Sequence, residues 1–136
     1  MRPLPPHVRE FIAAAPVCRI ATVRRDGRPH VIPVCPVFDG EKTIFVDLGV
    51  DSVSARALRH EPRVAVLIDE YHDDWSRLRK ALLHCVAEPV GGAAQDEAWD
   101  LIRRKFPQYV TVDWKPRATM ALRIDGWLTE GLAAPG

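Results

Sequence analysis

The 136-residue sequence holds a few groups of residues whose types and spacing can do chemistry. The segment SVSARALRHEP sets Ser52, Ser54, Arg56 and Arg59 around the N-terminal half of a short helix. Free N–H groups at a helix start, hydroxyls and guanidinium groups together suit a phosphate. A serine-capped helix with solvated arginines has the same sequence, so both readings stand at this point. His72 lies close to Asp69, Asp73 and Asp74, donors of the kind that hold a cation. Their spacing matches no metal motif, an acidic loop is ordinarily solvated, and no metal is expected. Cys18, Cys35 and Cys85 are odd in number and lack CxxC spacing, which indicates neither a disulfide framework nor a zinc site. Two of them, Cys18 and Cys35, read as small buried hydrophobes in a reducing compartment. No nucleophile triad, P-loop, Rossmann glycine pattern or paired-carboxylate site is present.

The elements that must position these groups follow from the patterning. Val17 to Val37 is two β-rich runs joined at Asp26-Gly27, the strongest short-range hairpin signal. A two-residue loop predicts Arg25 opposite Arg28, Thr22 opposite Val31, Ile20 opposite Pro33 and Cys18 opposite Cys35. Pro29 and Pro33 then fall on non-hydrogen-bonded sites, so the hairpin keeps its ladder while the outer edge of the second strand loses donors. Such an edge is either a plain barrel opening or a place where a ligand meets backbone groups.

Upstream, Val8, Phe11, Ile12 and Ala15 recur at helical spacing until Pro16. Downstream, a turn at Phe38-Asp39-Gly40-Glu41 leads to a third strand, Thr43 to Asp47, which predicts a three-stranded meander. Asp51 or Ser52 caps a helix over Val53 to His60 ahead of Pro62. Further strands are expected at Arg63 to Asp69, Arg79 to Val90 and Ala118 to Asp125, with a helix at Ala94 to Phe106 between the last two. Trp75 reads as a packing residue, and Leu128 to Gly136 as a loose small-residue tail. Six strands and three helices in this order give an α+β fold, an antiparallel barrel with helices at its sides and ends.

Hydrophobic residues make up 47% and charged residues 27%, with a formal net charge of +1, so one domain with a sizeable core is expected. Near-zero charge and the absence of an aromatic-basic stripe argue against a nucleic-acid module. No apolar run approaches a membrane span and MRPLPPHVRE lacks the apolar core of a secretion signal, so a cytoplasmic location is expected.

RIATVRRDGRPHVIPVCPVFDGEKTIFV, RALRHEPRVAVLID, EYHDDWSRL and KFPQY, in that order, resemble the pyridoxamine 5′-phosphate oxidase-like split β-barrel proteins. Within them the closest likeness is to the branch that uses the deazaflavin coenzyme F420, and it extends from Phe11 to Trp127. The resemblance implies a six-stranded split barrel that forms a homodimer, with two flavin-type cofactors in clefts between the subunits. It implies a ring lying along the strand after the first turn, touching His30, Val31, Ile32, Pro33 and Val34 partly through backbone groups. It also implies a phosphate site at the start of the helix before the fourth strand, where relatives usually carry a Lys eight residues before the proline. Here that residue is Ser54, with Ser52, Arg56 and Arg59 around it.

The implied chemistry is hydride transfer to or from an unidentified small molecule, F420 or FMN carrying the reactive part. His30 and Tyr71 are the candidate acid–base residues. A non-catalytic member that binds or sequesters a flavin-type cofactor or haem is the alternative. Exchange of Lys for Ser removes one positive charge, which penalises the doubly charged FMN phosphate more than the singly charged F420 diester and favours F420.

Overall fold

A computed structural model describes residues 1–133. Its hairpin joins β1 (Cys18–Val23) to β2 (Pro29–Val34). Arg24 N–H donates to the Arg28 carbonyl at 3.0 Å and Gly27 N–H to the Arg24 carbonyl at 2.9 Å, with Gly27 at φ +84°. The loop therefore holds Arg25, Asp26 and Gly27, a type I turn closed by a left-handed glycine bulge. Asp26 Oδ1 accepts the Arg28 N–H at 3.1 Å, which stabilises this wider turn. The expected register is thus corrected by one residue: Thr22 faces His30, Ile20 faces Ile32 and Cys18 faces Val34. Arg25 lies in the loop and has no partner opposite. Pro29 and Pro33 still fall between bonded pairs when the ladder is counted outward from Arg24–Arg28.

The remaining strands are β3 (Val37–Phe38), β4 (Thr43–Leu48), β5 (Arg63–Glu70), β6 (Arg79–Pro89) and β7 (Ala118–Glu130). All seven form one antiparallel sheet in the order β2-β1-β5-β6-β7-β4-β3. Two expectations are corrected here. The two-residue β3, too short to show a pattern, makes the strands seven rather than six. The meander is absent, because β4 pairs with β3 and β7 while β2 pairs only with β1.

This order curls the sheet. Val34 at the end of one edge and Val37 at the start of the other are three residues apart, at most about 11 Å. In a flat sheet of seven strands the two edges would stand about 29 Å apart. The result is a half-barrel whose edges meet at Cys35-Pro36. Lys105 ties this seam, its Nζ donating to the carbonyls of Ala15 at 2.6 Å and Pro36 at 2.8 Å. Burial pulls the Lys105 ammonium below the usual lysine range.

Four α-helices surround the sheet among the described residues: α1 (Pro6–Ala14), α2 (Val53–His60), α3 (Gly92–Lys105) and α4 (Gln108–Thr111). α1 buries Val8, Phe11 and Ile12 in the main core beside Ile20, Val66 and Leu83. α3 buries Trp99 and Ile102 against Val37 in a second, smaller cluster. Trp99 Nε1 donates to Thr119 Oγ1 at 3.0 Å, and Thr119 donates in turn to Asp47 Oδ1 at 2.9 Å.

β7 runs past the expected end at Asp125 to Glu130, with Leu128 opposite Leu82 and Glu130 opposite Lys80. A bulge makes this possible: His84 faces Gly126 and Cys85 faces Ile124, leaving Asp125 as the extra residue. Residues 128–130 of the expected tail are therefore strand, Leu132 packs on the core, and residues 134–136 lie outside the described residues. Trp75 is also corrected, being 73% exposed in a short 3-10 turn capped by Asp74, with its Nε1 on the Tyr71 hydroxyl at 3.1 Å.

Candidate functional site

The turn of the hairpin and the first turns of α2 come together around an open cleft of about 460 Å³ lined by Arg24, Arg25, Val53, Arg56 and Ala57. α2 starts here because Ser52 caps it, its Oγ accepting from Ala55 N–H at 3.1 Å. Arg56 then projects one turn in, opposite the arginines that flank the β-turn. Arg24 pairs with Asp26 at 3.1 Å, whereas Arg25 and Arg56 have no acidic partner within 4 Å among the described residues. Three guanidinium groups around one cleft, two of them without a counter-ion, make a site for an anion with several oxygens.

Of the α2 residues singled out from sequence, Arg56 alone lines this cleft. Ser52 Oγ is occupied by capping. Arg59 Nη2 donates to the Val50 carbonyl at 2.7 Å and braces the loop before the helix. Ser54 is 1% exposed, and its Oγ has no hydrogen-bond partner. A Lys in place of Ser54 would have to carry its charge into that interior or displace the helix. Arg24 and Arg25 were missed, although the cluster RRDGR around the turn was visible in the sequence.

β2 leads from this cleft along an open edge. Its outward residues Pro29, Val31 and Pro33 are exposed, while Ile32 and Val34 pack on the core. His30 is half-buried, and its carbonyl accepts from Thr22 Oγ1 at 3.4 Å. By the alternation of the ladder, the carbonyls of Pro29, Val31 and Pro33 and the N–H of Val31 point away from β1. The edge is therefore rich in acceptors, with Val31 contributing its one outward donor.

Tyr71 is 69% exposed on the β5–β6 connection and is not among the residues lining this cleft. His72 sits 3.7 Å from Glu70, whose carboxyl is held below the usual carboxylate range chiefly by the Arg79 guanidinium. No set of three or more His, Cys, Asp or Glu is arranged to hold a metal among the described residues. No helix among them is long and apolar enough to cross a membrane.

A curled antiparallel half-barrel with helices at its ends, and an anion cleft beside the first hairpin, defines the split-barrel class. The chain belongs to the pyridoxamine 5′-phosphate oxidase family, whose model matches residues 4–129. Solved structures share the fold at low identity. The heme-binding protein from Mycobacterium smegmatis is 20% identical with a TM-score of 0.79, over 93% of this chain and 53% of its own length, so the chain spans about half of that relative. HutZ, the heme storage protein from Vibrio cholerae, is 21% identical with a TM-score of 0.74 over 97% of both chains. A FAD-binding protein from Mesorhizobium loti is 20% identical with a TM-score of 0.68 over 88% of both chains. No curated protein matches the sequence.

Proposed function

We propose that the chain is a flavin-dependent oxidoreductase that holds FMN by its phosphate between Arg24, Arg25 and Arg56 and by its ring along His30–Val34. The observation that carries this reading is the trio of arginines around one cleft at the start of the open β2 edge. It also reverses the preference for F420. That preference rested on the charge lost at Ser54, and Arg25 of the turn, without a counter-ion among the described residues, restores it, with Arg24 beside it paired to Asp26. A phosphate monoester with nearly two charges then gains more than a diester from the same cations. When bound, the flavin supplies hydride chemistry. The protein orients it: the α2 end and the arginines fix the phosphate, and the Val31 N–H and the neighbouring carbonyls meet the polar rim of the ring.

The cleft is half a site. The outward face of β1, β2, β5, β6 and β7 carries two short apolar rows in register, Val31–Ala21–Ala65 and Leu67–Leu82–Leu128. Val31 is 64% exposed and Leu128 44%. A second copy covering this face would bury both rows and wall the flavin cleft, which supports a homodimer.

Titration of the purified protein with FMN, F420 and hemin, alongside Arg24→Ala and Arg56→Ala, tests the reading. FMN should bind, and each substitution should weaken it about tenfold or more, since a charge-assisted hydrogen bond is worth about 1.5–3 kcal/mol. Unchanged FMN affinity in both variants would remove the phosphate site. Binding of F420 alone would return the diester, and saturation by hemin alone would favour the non-catalytic alternative.

A further inference from the structure

The cleft between the hairpin turn and α2 is larger than the group assigned to it. Its volume of about 460 Å³ is in the range that holds a whole small molecule, and a phosphate fills a small part of that. The walls around the remainder differ in kind. On the α2 side, Val53, Arg56 and Ala57 form one i, i+3, i+4 stripe, so a guanidinium group stands beside an apolar surface. On the turn side are Arg24 and Arg25. Asp26 Oδ2 holds Arg24 at 3.1 Å, while Arg25 and Arg56, on opposite walls, have no acidic partner within 4 Å among the described residues. The turn also leaves the N–H groups of Arg25 and Asp26 without a hydrogen bond among the described residues.

Charge alone does not separate FMN from FAD. A monoester near neutral pH carries nearly two charges on one phosphate, and the diphosphate of FAD carries two on two phosphates. Space and arrangement do separate them. Two counter-ion-free guanidinium groups on opposite walls match a pair of phosphates, one to each wall. An apolar stripe beside a planar guanidinium suits a flat heteroaromatic ring, which stacks on the plane and buries its edge against the stripe. We infer that the cleft holds a nucleoside diphosphate unit, so that the flavin it selects is FAD. The adenosine lies against Val53 and Ala57, and the diphosphate spans Arg25 and Arg56, its flavin-side phosphate keeping the place given to that of FMN. The inference rests on the flavin reading for the ring along β2 and adds the nucleoside that FMN lacks.

Loading the purified protein with equal amounts of FMN and FAD, removing free flavin by gel filtration and separating what heat releases tests the selection. FAD should exceed FMN about tenfold or more. ADP should displace bound flavin at a concentration about tenfold or more below that of inorganic pyrophosphate, which has the charge without the nucleoside. Arg25→Ala, at an exposed turn position, should keep its melting temperature and bring the two flavins to within about threefold of each other. Equal retention of the two flavins, or an excess of FMN, overturns the inference and leaves the flavin reading standing. Displacement by pyrophosphate as effective as by ADP does the same, as does an unchanged preference in Arg25→Ala. Retention of neither flavin removes the flavin reading instead, and calorimetry with ADP and pyrophosphate then decides the nucleotide site. It stands if ADP binds about tenfold tighter and falls if the two bind alike or not at all.

Discussion

Two thiols in the core set how the protein responds to alkali. Burial pushes Cys18 and Cys85 up from 9.0 to about 12, while Cys35 at the seam is half-exposed. The folded state keeps protons that the unfolded chain loses above pH 9. The stability this represents is fully present below that pH and is lost as pH rises toward 12. Urea denaturation should therefore show a midpoint falling steadily from pH 9 to 11, with a shallower fall in Cys85→Ala. At pH 8 a thiol reagent should modify Cys35 alone in the native protein and all three cysteines in denaturant. Asp47 is the other residue with wide reach. Its oxygens accept from Thr119 Oγ1 at 2.9 Å, Arg117 N–H at 3.1 Å and Trp114 Nε1 at 3.0 Å, joining β4 to β7 and to the loop after α4. Asp47→Ala should cost about 1–3 kcal/mol in denaturant unfolding, since of its three donors only the Thr119 hydroxyl is buried and would be left without its acceptor. None of this partnership was visible in sequence, because its members lie about seventy residues apart.

At the scale of elements, two glycines separate conformational strain from steric contact. Gly27 has φ +84° with open space around its Cα, so Gly27→Ala should cost only the left-handed penalty, about 1–2 kcal/mol. Gly131 has φ +73°, and a Cβ there would lie 1.9 Å from the Leu78 carbonyl oxygen. Gly131→Ala must push the end of β7 away from the start of β6, and its loss should be about twice that of Gly27→Ala or more. Thermal unfolding of the two variants side by side checks the contrast. The hairpin itself shows where pattern reading stops. Asp26-Gly27 marked the turn and its place, but a two-residue and a three-residue loop share that signal, and the carboxylate of Asp26 on the Arg28 N–H decides between them.

For the whole molecule, the outward face of the curled sheet carries two apolar rows, and the proposed homodimer belongs to this scale. Val31→Lys would set an ammonium at the β2 end of the Val31–Ala21–Ala65 row. Sedimentation at micromolar concentration should show a dimer for the parent chain and a shift to monomer for the variant. FMN affinity should fall with it if the second copy walls the cleft. A monomeric parent that binds FMN tightly would remove the shared-cleft model.

What the residues determined by themselves was the identity of the elements. Alternation separated the two faces of β6, of which the structure buries the one with Leu83, Cys85 and Ala87, while helical spacing with a proline stop set α1 and a cap with a proline stop set α2. These signals are local, and local chemistry suffices for them. Only the tertiary structure decided which strands are neighbours, since a strand's sequence records its faces but not its partner across the ladder. The same holds for the anion cleft. Arg24 and Arg25 stand some thirty residues from Arg56, and the curl that joins both edges of the sheet at Cys35-Pro36 decides where β2 and its open edge lie.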